Sequence, residues 1–125
     1  MASPKTFTSD HKDYLYVIAD TYLQNNHFDK ALTILDLILS LFEGDPHALL
    51  CKAYCFIQQS RVNEALAIVE TLDTSGFDES EKAALALIKG RGFYKVGDDA
   101  KAKAFTKEFL ALRASLEKVK QVESA

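Results

Sequence analysis

The chain has 125 residues, 48% hydrophobic and 26% charged, which is the balance of a soluble globular fold and enough for one compact domain, not two. Its net charge of −3 excludes a general basic field for holding nucleic acid. No run reaches the length of a membrane span, and residues 1–8 hold no apolar segment long enough for a signal peptide.

Residues 1–10 read as a disordered polar lead-in, at the end of which Ser9 or Asp10 can cap a first helix by accepting a bond from a free backbone N–H. That helix is predicted over 12–25, with Leu15, Ile18, Ala19 and Tyr22 on one face. Asn25, Asn26 and His27 supply turn chemistry. A second helix over 29–42 follows, with Ala31, Ile34, Leu35, Ile38 and Leu41 as its apolar stripe. Gly44 is a C-cap signal, and Asp45–Pro46 opens a third helix over 46–59 with proline in its first turn. Ser60–Arg61 turns the chain into a fourth helix over 63–72, which the cluster Asp73, Thr74, Ser75 and Gly76 terminates. Asp78 and Glu81 have the spacing of a capping box for a fifth helix over 79–96. Gly97–Asp98 makes the next turn, and a sixth helix runs from 99 to about 116. Residues 11–116 form a single domain. Residues 117–125 are charged, lack a strong apolar stripe, and either prolong the last helix or fray.

The chain repeats itself. Leu15, Ala19, Tyr22, Phe28, Ala31, Leu35 and Ile38 recur 34 residues later as Leu49, Ala53, Phe56, Val62, Ala65, Val69 and Leu72. A third copy aligns Ala102 with Ala65, 37 residues on, the three extra residues falling in the longer loop at 73–78. Gly90 then stands where Ala19 and Ala53 do, Phe93 where Tyr22 and Phe56 do, and Gly97 where Asn26 and Ser60 do. Two antiparallel helices approach closely only where one presents a small side chain. Ala19, Ala53 and Gly90 do so on the first helix of each unit, and Ala31, Ala65 and Ala102 on the second. A single unit leaves an apolar face open, so stacking is what makes a core.

The period and these small and aromatic positions resemble the tetratricopeptide (TPR) repeat. The resemblance covers about residues 12–113. It implies an all-α, TPR-like solenoid of three antiparallel helix pairs. The sequence departs from the usual pattern at Leu15, Leu49 and Ala86, where a Trp is common, and at Asn26 and Ser60, where a Gly is common.

Catalytic chemistry is not legible. His11, His27 and His47 lie in a lead-in, a turn and a helix start, and none pairs at the i, i+3 or i, i+4 spacing of a metal face. There is no phosphate loop, nucleophile elbow or dinucleotide fingerprint, since Gly90-Arg91-Gly92 sits inside a helix with no strand before it. Cys51 and Cys55 share a helix face, are poorly placed for a disulfide, and read as small core residues of a protein from a reducing compartment. Lys101, Lys103, Lys107, Arg113, Lys118 and Lys120 are interspersed with glutamates and read as a solvated helix face. The expectation is a non-enzyme without metal, cofactor or nucleic-acid partner.

In TPR stacks the first helix of each unit lines the concave face. By that register the inward positions include Tyr16, Asp20 and Leu23, then Leu50, Tyr54 and Ile57, then Leu87, Arg91 and Tyr94. They make an apolar, tyrosine-rich groove with few charges, suited to an amphipathic helix with anchors at i, i+3/i+4 and i+7. A small acidic three-unit chain of this layout is similar to the chaperones of bacterial type III secretion. The Gly97–Ala102 run and the ending Phe109-Leu110-Ala111-Leu112 favour the YscY (SctY) type over the YscG (SctG) type. The first resemblance implies a small secretion component as a one-to-one partner in the bacterial cytoplasm and a link to the export gate. The second implies a needle subunit kept from polymerising. Either way a homodimer is possible when the protein is alone.

Overall fold

The computed structural model describes residues 8–124, and for residues 123 and 124 the backbone only. Six helices follow in order: α1 (Ser9–Gln24), α2 (Phe28–Leu41), α3 (Pro46–Gln58), α4 (Val62–Glu70), α5 (Glu79–Lys95) and α6 (Asp99–Ser124). The described residues contain no strand. The helices pack as three pairs, α1 on α2, α3 on α4 and α5 on α6, and the pairs stack through α2 on α3 and through α3 and α4 on α5. The expected all-α, TPR-like fold is what the chain adopts.

The turn inside each pair is the same structure three times. Asn26, Ser60 and Gly97 all take left-handed backbone angles, with φ of 59°, 61° and 85°. The next residue's N–H then reaches back five positions: His27 to Tyr22 O at 2.9 Å, Arg61 to Phe56 O at 2.8 Å, and Asp98 to Phe93 O at 2.9 Å. This closure satisfies carbonyls that the ending helix leaves free. Asparagine tolerates the left-handed region, and serine holds it here at some steric cost, so two of the three turns form without glycine.

Between the helices, the small positions do what close approach demands. Ala19, Ala31, Ala53 and Ala65 have no exposed surface, Ala102 has 6%, and Gly90 is buried. A Cβ on Gly90 would stand 3.0 Å from Thr106 Oγ1. Beside these positions Leu35, Ile38, Cys55 and Ile88 are fully enclosed, and Phe93 stacks on Phe105 with ring centroids 5.6 Å apart. Gly92, which the repeat pattern does not single out, answers a second constraint. A Cβ there would lie 2.7 Å from Leu66 Cδ2, so the glycine lets α5 settle onto α4 of the preceding pair.

Helix ends shift where a cap overrides periodicity. The expected caps Ser9 and Asp10 are already helical; Thr8 is the N-cap, extended at φ −100° and ψ 173°, and its N–H bonds to His11 Nδ1 at 3.0 Å. Of the expected lead-in, residues 1–7 lie outside the described residues, as does residue 125. The box at Asp78 forms as read: Glu81 N–H donates to Asp78 Oδ1 at 2.8 Å, and Asp78 N–H to Glu81 Oε1 at 3.2 Å. α4 stops at Glu70, short of 72. α6 continues through 117–124, carried by strong helix formers and an i, i+4 pair, Arg113 with Glu117 at 3.4 Å.

Substituting Ala65→Leu inserts three heavy atoms at a site with no free surface. Urea denaturation is expected to show a loss of about 1–3 kcal/mol, and an unchanged midpoint would contradict the close approach of α3 and α4.

Candidate partner-binding site

The first helices of the three pairs carry the residues expected to meet a partner, and the stack sorts them. Leu50 and Ile57 are 3% and 9% exposed and belong to the hydrophobic core. α3 packs on α5, and Ile57 Cδ1 lies 3.6 Å from where a Cβ on Gly92 of α5 would stand, so these two side chains present little surface to a partner. Tyr16, Leu23 and Tyr54 are half-buried and pack against the same core, and Leu87 is half-buried. Asp20 and Arg91 are exposed, and Tyr94 is 69% exposed.

Two of these clusters have definite geometry. In the first, Tyr16 lies edge-on to the His47 ring with centroids 4.9 Å apart, and its hydroxyl donates to Asp45 Oδ2. Asp45 is only 14% exposed. It also takes Lys12 Nζ at 3.1 Å and, as N-cap of α3, the Ala48 N–H at 3.2 Å. Burial works against its carboxylate, yet these hydrogen bonds outweigh it and hold its pKa below the usual aspartate value. Burial, then the Asp45 bond, pushes Tyr16 well above the ordinary tyrosine range. His47 Nδ1 meets Glu81 Oε2 at 2.9 Å, so the same corner also ties the second pair to the third.

In the second cluster, Gln58 bridges two expected residues: its Nε2 donates to the Tyr54 hydroxyl at 3.1 Å, and its Oε1 accepts from Arg91 Nη1 at 2.6 Å. Ile57, Gln58, Arg91, Tyr94 and Lys95 border one shallow groove of about 300 Å³. Arg91 and Tyr94 also border a larger open groove of about 700 Å³, whose far wall is α6: Ala102, Lys103, Thr106, Lys107 and Leu110. The sequence reading missed that wall. Its signal is the spacing of Ala102, Thr106 and Leu110, which share one side of the last helix.

Among the described residues no group of three or more His, Cys, Asp or Glu could hold a metal ion. Burial pushes the Cys51 thiol up to about 12, with Asp20 adding to it, and the Cys55 thiol up to about 11, so both stay protonated and poorly nucleophilic at neutral pH.

A family model described as "Anaphase-promoting complex, cyclosome, subunit 3" matches residues 3–72. The chain belongs to that family. The subunit 3 family is one of TPR-like repeats, and the matched span takes in α1 to α4, where the 34-residue repeat is most complete. No curated protein and no solved structure matches the chain. As a member of the subunit 3 family it carries a fold that typically serves as a non-catalytic protein–protein interaction module, and among the described residues no helix is long and apolar enough to cross a membrane.

The Tyr16–Asp45 pair gives stability a defined pH window. The Asp45 contribution is complete above the unfolded aspartate's pKa and is lost as pH falls through its lowered folded value. The Tyr16 contribution is complete below the ordinary tyrosine pKa and is lost as pH rises above it. Tyr16→Phe is therefore expected to cost about 1–2 kcal/mol at neutral pH, discounted for partial exposure. In urea titrations across pH, the gap between variant and parent should narrow toward both extremes. A constant gap would show that the hydroxyl does not bond the carboxylate.

Proposed function

We propose that the protein is a non-catalytic chaperone or adaptor that holds an amphipathic helix of a partner protein along the first helices of its repeats. Tyr16, Leu23, Tyr54, Leu87 and Tyr94 supply the apolar contact, Asp20 and Arg91 the polar rim, and Leu50 and Ile57 the packed floor beneath. The observation that carries the reading is Tyr94, two-thirds exposed beside an Arg91 already oriented by Gln58. Tyrosine and arginine are the side chains that give most binding energy when desolvated.

The partner in this reading is a small component of bacterial type III secretion, bound about one to one in the bacterial cytoplasm and released for export. Support comes from the resemblance to the YscY-type chaperones, with a link to the export gate. The YscG-type needle chaperone is the nearest alternative within it. Apolar helical segments self-associate when free, which gives such a chaperone its purpose. The family match favours a broader second reading, in which the module docks into a larger assembly. Without a partner, a second copy can occupy the groove.

Co-purification from the native host tests these readings. One small helical secretion component is expected at about one to one, raising the melting temperature and tolerating salt. Tyr94→Ala and Arg91→Glu should weaken capture roughly tenfold or more with helicity intact; Leu50 is unsuitable for this purpose because its loss would disturb the core. A partner that polymerises once freed points to the needle subunit, and a soluble one to the export gate. Recovery of general cytosolic proteins alone would overturn the chaperone reading.

A further inference from the structure

The two ends of the stack expose matching halves of the seam that joins its units. In the second and third units, the helix face turned toward the preceding pair carries Ala48, Cys51 and Cys55 on α3, and Leu85, Ile88 and Gly92 on α5. All are buried except Cys51, which is half-buried. The same register on α1 falls on Tyr14, Val17 and Thr21. Here nothing precedes them among the described residues, and Tyr14 and Val17 are 67% and 63% exposed. At the other end, Leu66 of the second unit lies against Gly92 of α5, and that register puts Ala19, Ala31, Leu32 and Leu35 on the receiving surface of the first unit. In the second it is Ala53, Ala65, Leu66 and Val69. The corresponding surface of the third unit is Gly90, Ala102, Lys103 and Thr106, and it opens into the groove of about 700 Å³ between α5 and α6.

From this we infer that the protein associates head to tail with a second copy of itself, α1 of one copy entering the α5–α6 groove of the next as α3 and α5 enter theirs. Three observations fix that occupant rather than another. The groove has the register of two seams that this chain already fills with its own first helices. The head face is apolar where the groove is apolar: Val17 and Tyr14 of the second copy meet Ala102, Thr106 and Leu110. The charges are opposite. Arg91, Lys103 and Lys107 rim the groove, with Asp99 the one acidic residue along it, while α1 carries Asp10, Asp13 and Asp20 and a single lysine, Lys12, which is taken up by Asp45 of its own chain. One contact is set by the internal seam. The hydrogen bond from Arg91 to Gln58 has its counterpart at the junction in Asp20 of the second copy against Lys95, a pair of opposite charge. The contact is heterologous, with different surfaces on the two sides, so it extends rather than closes unless rotation brings the ends together. The groove reading of partner capture does not depend on it.

Light scattering coupled to size exclusion over a range of concentrations tests this on the full chain. The parent's weight-average mass should rise with concentration beyond that of a dimer. Val17→Arg blocks the head and Leu110→Arg the tail; both residues are more than half exposed, and circular dichroism confirms that helicity is kept. Each variant alone should associate about tenfold more weakly or worse. An equimolar mixture of the two should regain a dimer and stop there, because one unblocked head meets one unblocked tail. A parent that stays at the mass of one chain at every concentration overturns the inference, leaving the groove to a foreign helix or to residues 1–7. A mixture that fails to recover a dimer, or a parent that stops at a symmetric dimer, overturns it equally.

Discussion

Close approach of helices at small side chains is the constraint on which this structure depends. Where Ala19, Ala31, Ala53 and Ala65 stand without exposed surface, and Gly90 leaves room for Thr106, two helices draw together and larger side chains fill the space alongside. Interiors pack at crystal-like density, so these sites admit almost no change in volume. Gly92 applies the same constraint between units: Leu66 occupies the space a Cβ would need. With the pair and the seam both held at short range, the identity of most surface residues is free.

That freedom is spent on polar ties from one unit to the next. Asp45 caps α3 and at the same time reaches back to Lys12 and Tyr16 on α1. His47 reaches forward to Glu81, and Gln58 to Arg91. Each tie crosses a seam whose apolar part is non-directional, and so sets the angle at which units meet. Two of these residues, Tyr16 and Arg91, also belong to the candidate partner face. Binding there would act on the ties that hold neighbouring units in register.

Much of this was legible in the sequence, and the limits have physical causes. The helix pairs, their turns and their small residues appear directly in the 34-residue spacing, because each unit solves the same packing problem. The capping box at Asp78 was legible because it is local. The start of α1 at Ser9 was not, since Thr8 needs only an extended backbone to serve as cap. The length of α6 was not either: helix propensity extends it where no apolar stripe does. Among the candidate contacts, Tyr54, Arg91 and Tyr94 shared a face by register alone. The burial of Leu50 and Ile57 depends on how far the next unit reaches over them, and the Tyr16–Asp45 bond joins residues 29 apart. Spacing within one helix carries neither fact.

The nearest-neighbour pattern of the helices has a kinetic consequence. Among the described residues, each helix from α1 to α5 packs chiefly on the one or two that follow it in the chain, so these contacts span short stretches. Chains of this kind have low contact order and little loop entropy to overcome before contacts form, and they fold quickly for their size. A nucleus can arise at any of the three turns and grow outward one helix at a time, so the order of assembly follows local stability and not position along the chain.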